Sequence, residues 1–192
     1  MKVIYLTGAP AAGKSSTLTL LCESDPSILR FEYGAELTEQ IRKRDASLID
    51  QDELREKSSG IVGPEDVAEL DRRLLKLVEA ERKHRSIIID SHPVTKEVYG
   101  YRITAFSQEN VVRLAPDEIW VLYASPQCTV ERISNQPAGR PMVTEEEARL
   151  HTQTQASIAA TYGIIAGTPV YMFDTDRDQD ELVEILRRRL KK

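Results

Sequence analysis

Eight residues near the N-terminus restrict the fold more than any other stretch. Gly8-Ala9-Pro10-Ala11-Ala12-Gly13-Lys14-Ser15 follows the spacing G-x-x-x-x-G-K-[ST]. That spacing has meaning only between a strand and a helix, and the flanks supply both. Lys2–Thr7 is a short β-branched apolar run, and Lys14–Cys22 carries Leu18, Leu20 and Leu21 at helical intervals. Gly8 and Gly13 allow the turn and let backbone N–H groups approach phosphate oxygens, which with the helix N-terminus make an anion site. Lys14 adds a positive charge for β- and γ-phosphates, and Ser15 supplies a hydroxyl for Mg²⁺. Nucleotide contacts are therefore expected from Gly8, Ala9, Pro10, Ala11, Ala12, Gly13, Lys14, Ser15 and Ser16. The competing reading is a chance glycine-rich turn, which has to account for all eight positions.

The rest of the chain alternates in the same way. Ile28–Tyr33, Ser86–Asp90, Asp117–Tyr123 and Pro169–Phe173 read as further strands. Between them lie helical patterns. One runs from Ala35 to about Ser58 with a break near Ala46–Leu48. Others open at Pro64, cover Pro126–Ser134, follow the Thr144 cap to about Tyr162, and span Asp178–Leu190. Strands separated by helices predict a mostly parallel five-stranded sheet in a three-layer α/β/α fold, with ligands at the carboxyl ends of the strands. With 192 residues, a single domain is expected over 1–192. Segments 35–62 and 135–143 are expected to stand off its core.

Composition narrows the class. The 26 Lys and Arg against 31 Asp and Glu give a net charge of −5, which argues against a general nucleic-acid binder but not against a local basic pocket for an anion. No apolar run is long enough to span a bilayer, and Met1–Leu6 has neither the apolar core nor the cleavage site of a signal peptide. Cys22 and Cys128 alone exclude a disulfide framework and a four-cysteine zinc site, so a reducing cytosol is the simplest compartment.

A phosphate loop fixes nucleotide binding, not the reaction. Phosphoryl transfer, hydrolysis and nucleotide sensing all remain. The only asparagines, Asn110 and Asn135, begin no Asn-Lys-x-Asp guanine motif. The strand ending Asp90-Ser91-His92 carries no glutamate after its aspartate to polarise water. Both features favour transfer over hydrolysis.

The chain resembles the nucleoside monophosphate kinases, and within them the archaeal-type adenylate kinases. The resemblance rests on Val3–Ser15, Ile89-Asp90-Ser91-His92, Gly100-Tyr101, Ala115-Pro116-Asp117-Glu118-Ile119 and Thr161-Tyr162-Gly163-Ile164-Ile165-Ala166-Gly167, in that group's order and spacing. It implies a P-loop kinase with ATP and Mg²⁺ at the phosphate loop, an acceptor-binding helical segment (35–62) and a short lid (135–143). Small nucleotides would be the partners, and a homo-oligomer is the assembly it suggests. The implied reaction is ATP + AMP to 2 ADP. The resemblance also implies roles for Arg132 where the lid begins, Arg140 inside it and Arg55 in the acceptor segment. Two departures stand out. Ser91-His92-Pro93-Val94 replaces the Gly-Phe-Pro-Arg of common bacterial adenylate kinases, with Arg102 as a candidate substitute. Glu32 and Glu36 bring negative charge towards an anionic acceptor. The alternatives are a small-metabolite kinase and an ATP-binding regulatory or accessory ATPase.

Several residues have two readings. Asp90, ending a buried strand beside the loop, is expected to hold Mg²⁺, the alternative being a turn cap. His92 stands equally as an acceptor contact and as a turn residue satisfying backbone groups. Arg132 and Arg140, with Lys14, are the candidate catalytic cations, against simple solvation. His151 reads as structural, and Arg42-Lys43-Arg44 as a charged helix face.

Overall fold

The computed structural model describes residues 1–44, 50–52, 54, 61–138 and 140–192. Five strands, β1 (Val3–Thr7), β2 (Leu29–Glu32), β3 (Ile87–Asp90), β6 (Glu118–Tyr123) and β7 (Val170–Asp174), form one sheet in the order β2-β3-β1-β6-β7. All four pairings are parallel. The sheet is covered on both faces, which is why Val3–Leu6 of β1, Ile87–Ile89 of β3 and Ile119–Leu122 of β6 are apolar at successive positions rather than at alternate ones.

The period of two then sorts these side chains into two cores. Val3, Tyr5, Ile87, Ile89, Ile119 and Val121 face one layer. Its helices are α3 (Pro64–Glu81), with Leu70, Leu74 and Val78, α4 (Gln108–Leu114), and α6 (Glu145–Ala166), with Ala159 and Tyr162. Ile4, Leu6, Ile88, Trp120 and Leu122 face the other, where α1 (Lys14–Ser24) supplies Leu18 and Leu21 and α7 (Gln179–Leu190) supplies Leu182 and Leu186. The expected three-layer α/β/α fold is thus present, with α2 (Tyr33–Arg44) and α5 (Pro126–Asn135) flanking the site end.

Most boundaries agree with the sequence patterns, and the differences have local causes. Tyr33 opens α2 instead of closing β2, so Glu32 is held at the strand's carboxyl end. The break expected near Ala46–Leu48 lies outside the described residues. Helix α6 begins with a capping box, Thr144 accepting from the Glu147 N–H and Glu147 accepting from the Thr144 N–H. It passes the expected end at Tyr162 and stops at Gly167, whose φ of 65° is left-handed. The sequence patterns had assigned nothing between Ser91 and Pro116. That stretch holds an antiparallel hairpin, β4 (Val94–Glu97) with β5 (Gly100–Ile103), and then α4, capped by Ser107.

One polar cluster ties helices to one another, and a second fixes a helix to the sheet. Asp71 of α3, buried, accepts from the Tyr33 hydroxyl (2.8 Å) and from the Asn110 amide (3.0 Å). At the sheet end remote from the phosphate loop, Glu118 accepts from Lys2 Nζ (2.5 Å), Trp120 Nε1 (2.8 Å) and Arg189 Nε (2.8 Å).

Candidate active site

The site grows from the end of β1. An added Cβ on Gly8 would overlap the backbone carbonyl of Leu122 in β6, so only glycine lets the loop leave the sheet at this height. The turn continues with two left-handed residues, Ala11 (φ 60°) and Gly13 (φ 75°). A left-handed conformation costs a non-glycine residue about 1 kcal/mol, and strain of this kind is typical of built anion sites. Ala12 N–H donates to Ala9 O at 3.2 Å, closing the turn. Lys14 Nζ reaches back to Gly8 O (2.7 Å) and Ala9 O (3.3 Å), so its ammonium lies across the mouth of the loop.

A cavity of about 700 Å³ opens above the carboxyl ends of the strands. Its lining includes the whole stretch Ala9–Ser16, together with Glu32, Asp90, His92, Arg132 and Arg140. Most residues singled out in the sequence therefore meet around one space. Gly8, set back against β6, and Arg102 are not in its wall. Arg102 is on β5, its guanidinium ion-paired with Glu97 (3.1 Å), and it is not part of the cavity wall. Arg55 lies outside the described residues.

Arg132 has a defined set of partners. Its Nη1 donates to Ala11 O (3.2 Å) and Thr175 Oγ1 (3.1 Å), its Nη2 to Thr175 O (3.0 Å), and Asp176 is 3.8 Å away. The guanidinium thereby joins the phosphate loop to the turn after β7. That bracing function was not legible in its position at a helix end. Arg140 is held within its own turn, the backbone N–H and Nη1 both donating to Pro137 O, at 3.0 and 3.3 Å.

The carboxylates lie on the opposite side of the loop. Register places Asp90 beside Leu6 of β1, and Glu32 beside Asp90 but one strand further out. Arg30 binds both, at 2.8 Å to Glu32 and 4.0 Å to Asp90, and also donates to Thr19 Oγ1 of α1. The sequence also gave no signal for Gln51 and Lys96 as wall residues. Lys96 pairs with Glu147 at 2.8 Å, tying the hairpin to the start of α6. Lys96 first, then the Thr144 amide, hold the Glu147 carboxyl down to about 2.

Helix α6 supports the loop from behind. Gln155, fully buried, donates to the Thr7 hydroxyl immediately before Gly8. His151 is buried, with Nε2 3.0 Å from Val94 O and its ring edge-on to Tyr101. The structural reading of His151 stands on those contacts. Burial pushes its pKa down to about 4, helped by Lys14 and Lys96 and opposed by the Val94 carbonyl. The unfolded chain therefore binds a proton near the ordinary histidine value that the native chain refuses. Stability is full above about pH 6.5 and falls as pH drops towards 4, by about 2 kcal/mol at pH 5. Melting curves of wild type and His151→Gln between pH 7 and 5 check this: the variant should lose that part of the pH slope.

A phosphate loop set between β1 and α1 of a five-stranded parallel sheet, with Arg132 and Arg140 in the wall of the cavity it opens into, defines the class: this is a P-loop kinase. A family model described as an AAA domain matches residues 7–149, and the chain belongs to that family. It is similar to an adenylate kinase of Methanothermobacter thermautotrophicus, 25% identical over 183 residues that cover 94% of each chain. Among solved structures it resembles a sugar kinase from Janibacter sp. HTCC2649, with a TM-score of 0.58 and 14% identity over all of this chain and 95% of the other. A deoxyadenosine kinase from M. mycoides with bound dATP aligns over the full length of both chains, with a TM-score of 0.56 and 13% identity. These likenesses support the fold. Among the described residues no helix is long and apolar enough to cross a membrane.

Proposed function

We propose that the chain transfers the γ-phosphoryl group of ATP, as its Mg²⁺ complex, to a small acceptor bound on the β2–β3 side of the cavity. The observation that carries this reading is the single cavity that takes in the phosphate loop, the strand-end residues Glu32, Asp90 and His92, and the arginines of 132–140. In this reading the loop amides and Lys14 hold the β- and γ-phosphates, and Arg132 keeps the loop in shape against Thr175. The 135–143 segment acts as a lid that brings Arg140 onto the moving phosphoryl group. Catalysis is then positioning and charge neutralisation.

The residues present fit a magnesium ion. The Ser15 hydroxyl and the Asp90 carboxylate are hard oxygen donors, and both line the cavity. A pair of protein oxygens is what Mg²⁺ uses when substrate phosphates and water complete its shell. Among the described residues no group of three or more His, Cys, Asp or Glu could hold an ion by itself. Bound there, the ion would neutralise charge on the phosphates.

AMP is the acceptor implied by the sequence resemblance, and adenylate kinase is the name of the archaeal relative. A neutral acceptor is the second reading, favoured by Glu32. Coupled ADP release, measured with ATP across a panel of monophosphates and hydroxyl compounds, tests the proposal. ADP formed only with an acceptor supports transfer, and release without one supports an ATPase.

Arg140→Lys tests the lid. A guanidinium is always charged and bridges two phosphate oxygens, which an ammonium does not reproduce. Acceptor-dependent kcat should fall by roughly 10²-fold with little change in KM for ATP, the pattern of an interaction made in the transition state. Wild-type kcat in this variant would remove Arg140 from the mechanism.

A further inference from the structure

Resting on the kinase reading above, we infer that Lys96 is a further substrate-binding residue that contacts the terminal phosphoryl group of ATP, and that Glu147 competes with that group for it. The first observation is place. Lys96 of β4 lines the cavity into which the phosphate loop opens, and so do Glu147 and His151 of α6. The pleat of the hairpin decides which way it faces. Lys96 is the cross-strand partner of Tyr101, and both meet α6, Lys96 at the Glu147 carboxylate (2.8 Å) and the Tyr101 hydroxyl by donating to Glu147 O (2.8 Å). Glu97 and Arg102 take the opposite face, where they pair with each other. Of the two cations on the hairpin, Lys96 is therefore the one in the cavity wall.

The second observation is nearness to the loop. Burial lowers the His151 pKa most, and Lys14 and Lys96 each lower it further. One imidazole thus lies within electrostatic reach of both ammonium groups. Being neutral near neutral pH, it leaves their charge intact. An anion held by Lys14 stands in the field of Lys96 as well.

Third is the nature of the anchor. Glu147 does not depend on Lys96. Its carboxylate accepts from the Thr144 N–H (2.9 Å), stands in the first turn of α6 where the helix end favours negative charge, and is 38% exposed. When Lys96 turns to another anion, Glu147 stays hydrogen-bonded and hydrated, so the exchange costs little. A phosphoryl group offers Lys96 more charge than a carboxylate does. Fourth, the neighbouring charges are otherwise engaged. Arg30 pairs with Glu32 (2.8 Å) and lies 4.0 Å from Asp90, and Arg132 is committed to Ala11 and Thr175. Lys96 is a wall cation whose partner has a second donor of its own.

Calorimetric titration of the full chain with Mg²⁺ and either ADP or a non-hydrolysable ATP analogue with an imido β,γ-bridge tests this. The ratio of the analogue's affinity to that of ADP reads the terminal phosphoryl contact and needs no acceptor. Lys96→Met, of similar length but without charge, should lower that ratio roughly tenfold, with ADP affinity close to wild type. Lys96→Arg should keep most of it. Glu147→Gln keeps the Thr144 cap, because glutamine also serves a capping box, and should raise the ratio. The opposite signs are diagnostic, since a merely structural ion pair is broken by either variant and would shift both alike. Thermal melts of the same samples should stay near wild type. A wild-type ratio in Lys96→Met, or no rise in Glu147→Gln, overturns the inference. Wild type that binds the analogue no better than Lys14→Ala overturns the phosphate-loop and kinase reading beneath it.

Discussion

Lys14→Ala lowers turnover by roughly 10²–10³-fold and leaves the melting transition close to that of wild type. The reasoning starts from where the ammonium is. Lys14 Nζ donates to Gly8 O and Ala9 O, both carbonyls of the loop itself. Removing it exposes two carbonyls at the cavity mouth, where water can replace the lost donor at small cost. In the proposed mechanism the same change removes a fixed positive charge from the β- and γ-phosphates, and no solvent molecule restores that. Steady-state ADP release and a thermal melt on the same preparation check the prediction. Unchanged turnover with a normal melt would sink the phosphate-loop assignment.

The second large effect is on stability and falls at the far end of the sheet. Glu118→Ala removes the acceptor that Lys2, Trp120 and Arg189 share. The two cations are partly exposed and can turn to water, but the Trp120 ring is fully buried and its indole N–H cannot. An orphaned buried donor together with a broken, largely buried ion pair costs about 3 kcal/mol. In a domain of this size that lowers Tm by roughly 6–12 °C. The pH dependence has a definite sign. Burial alone would raise the Glu118 pKa, but the donors from Lys2, Trp120 and Arg189 outweigh it and hold the carboxyl below its ordinary value. Its contribution is therefore present above the ordinary carboxylate range and is lost as pH falls through the lowered value. Wild type should lose more stability than Glu118→Ala between neutral pH and pH 3. ATP turnover below Tm should be little changed, because the cluster stands at the opposite end of the strands from the loop.

The fold was legible where a pattern had one cause. Ile87-Ile88-Ile89-Asp90 can be little other than a strand covered on both faces, and Gly8–Ser15 has meaning only between a strand and a helix. The hairpin at Val94–Ile103 was not legible, since each arm is four residues long and mixes Val and Thr with Lys, Glu and Arg. In the site, sequence position could bring Lys14, Ser15 and Asp90 together because one loop and one strand end place them. It could not show that Arg132 turns its fork onto Ala11 and Thr175, because those partners come from remote segments of the chain. Nor could it separate Arg102, committed to Glu97, from an arginine facing the cavity. Glu32 was visible as a charge in an awkward place. What it faces depends on the β2–β3 register, which no local pattern encodes.

The strand order has a consequence for how the chain assembles. β1 is made before the four other strands of its sheet yet lies in the middle, and its neighbours are residues 87–90 and 118–121. Until those segments exist, both its edges stay unpaired and sticky, and pairing them later closes long loops, which is slow. A truncation after Leu114 would keep the entire phosphate loop but remove Leu122, the carbonyl against which Gly8 is pressed, and Thr175, onto which Arg132 folds. On the proposed reading the nucleotide site matures only with the residues after Leu114, and a chain cut there should be unable to retain ATP despite carrying the complete motif.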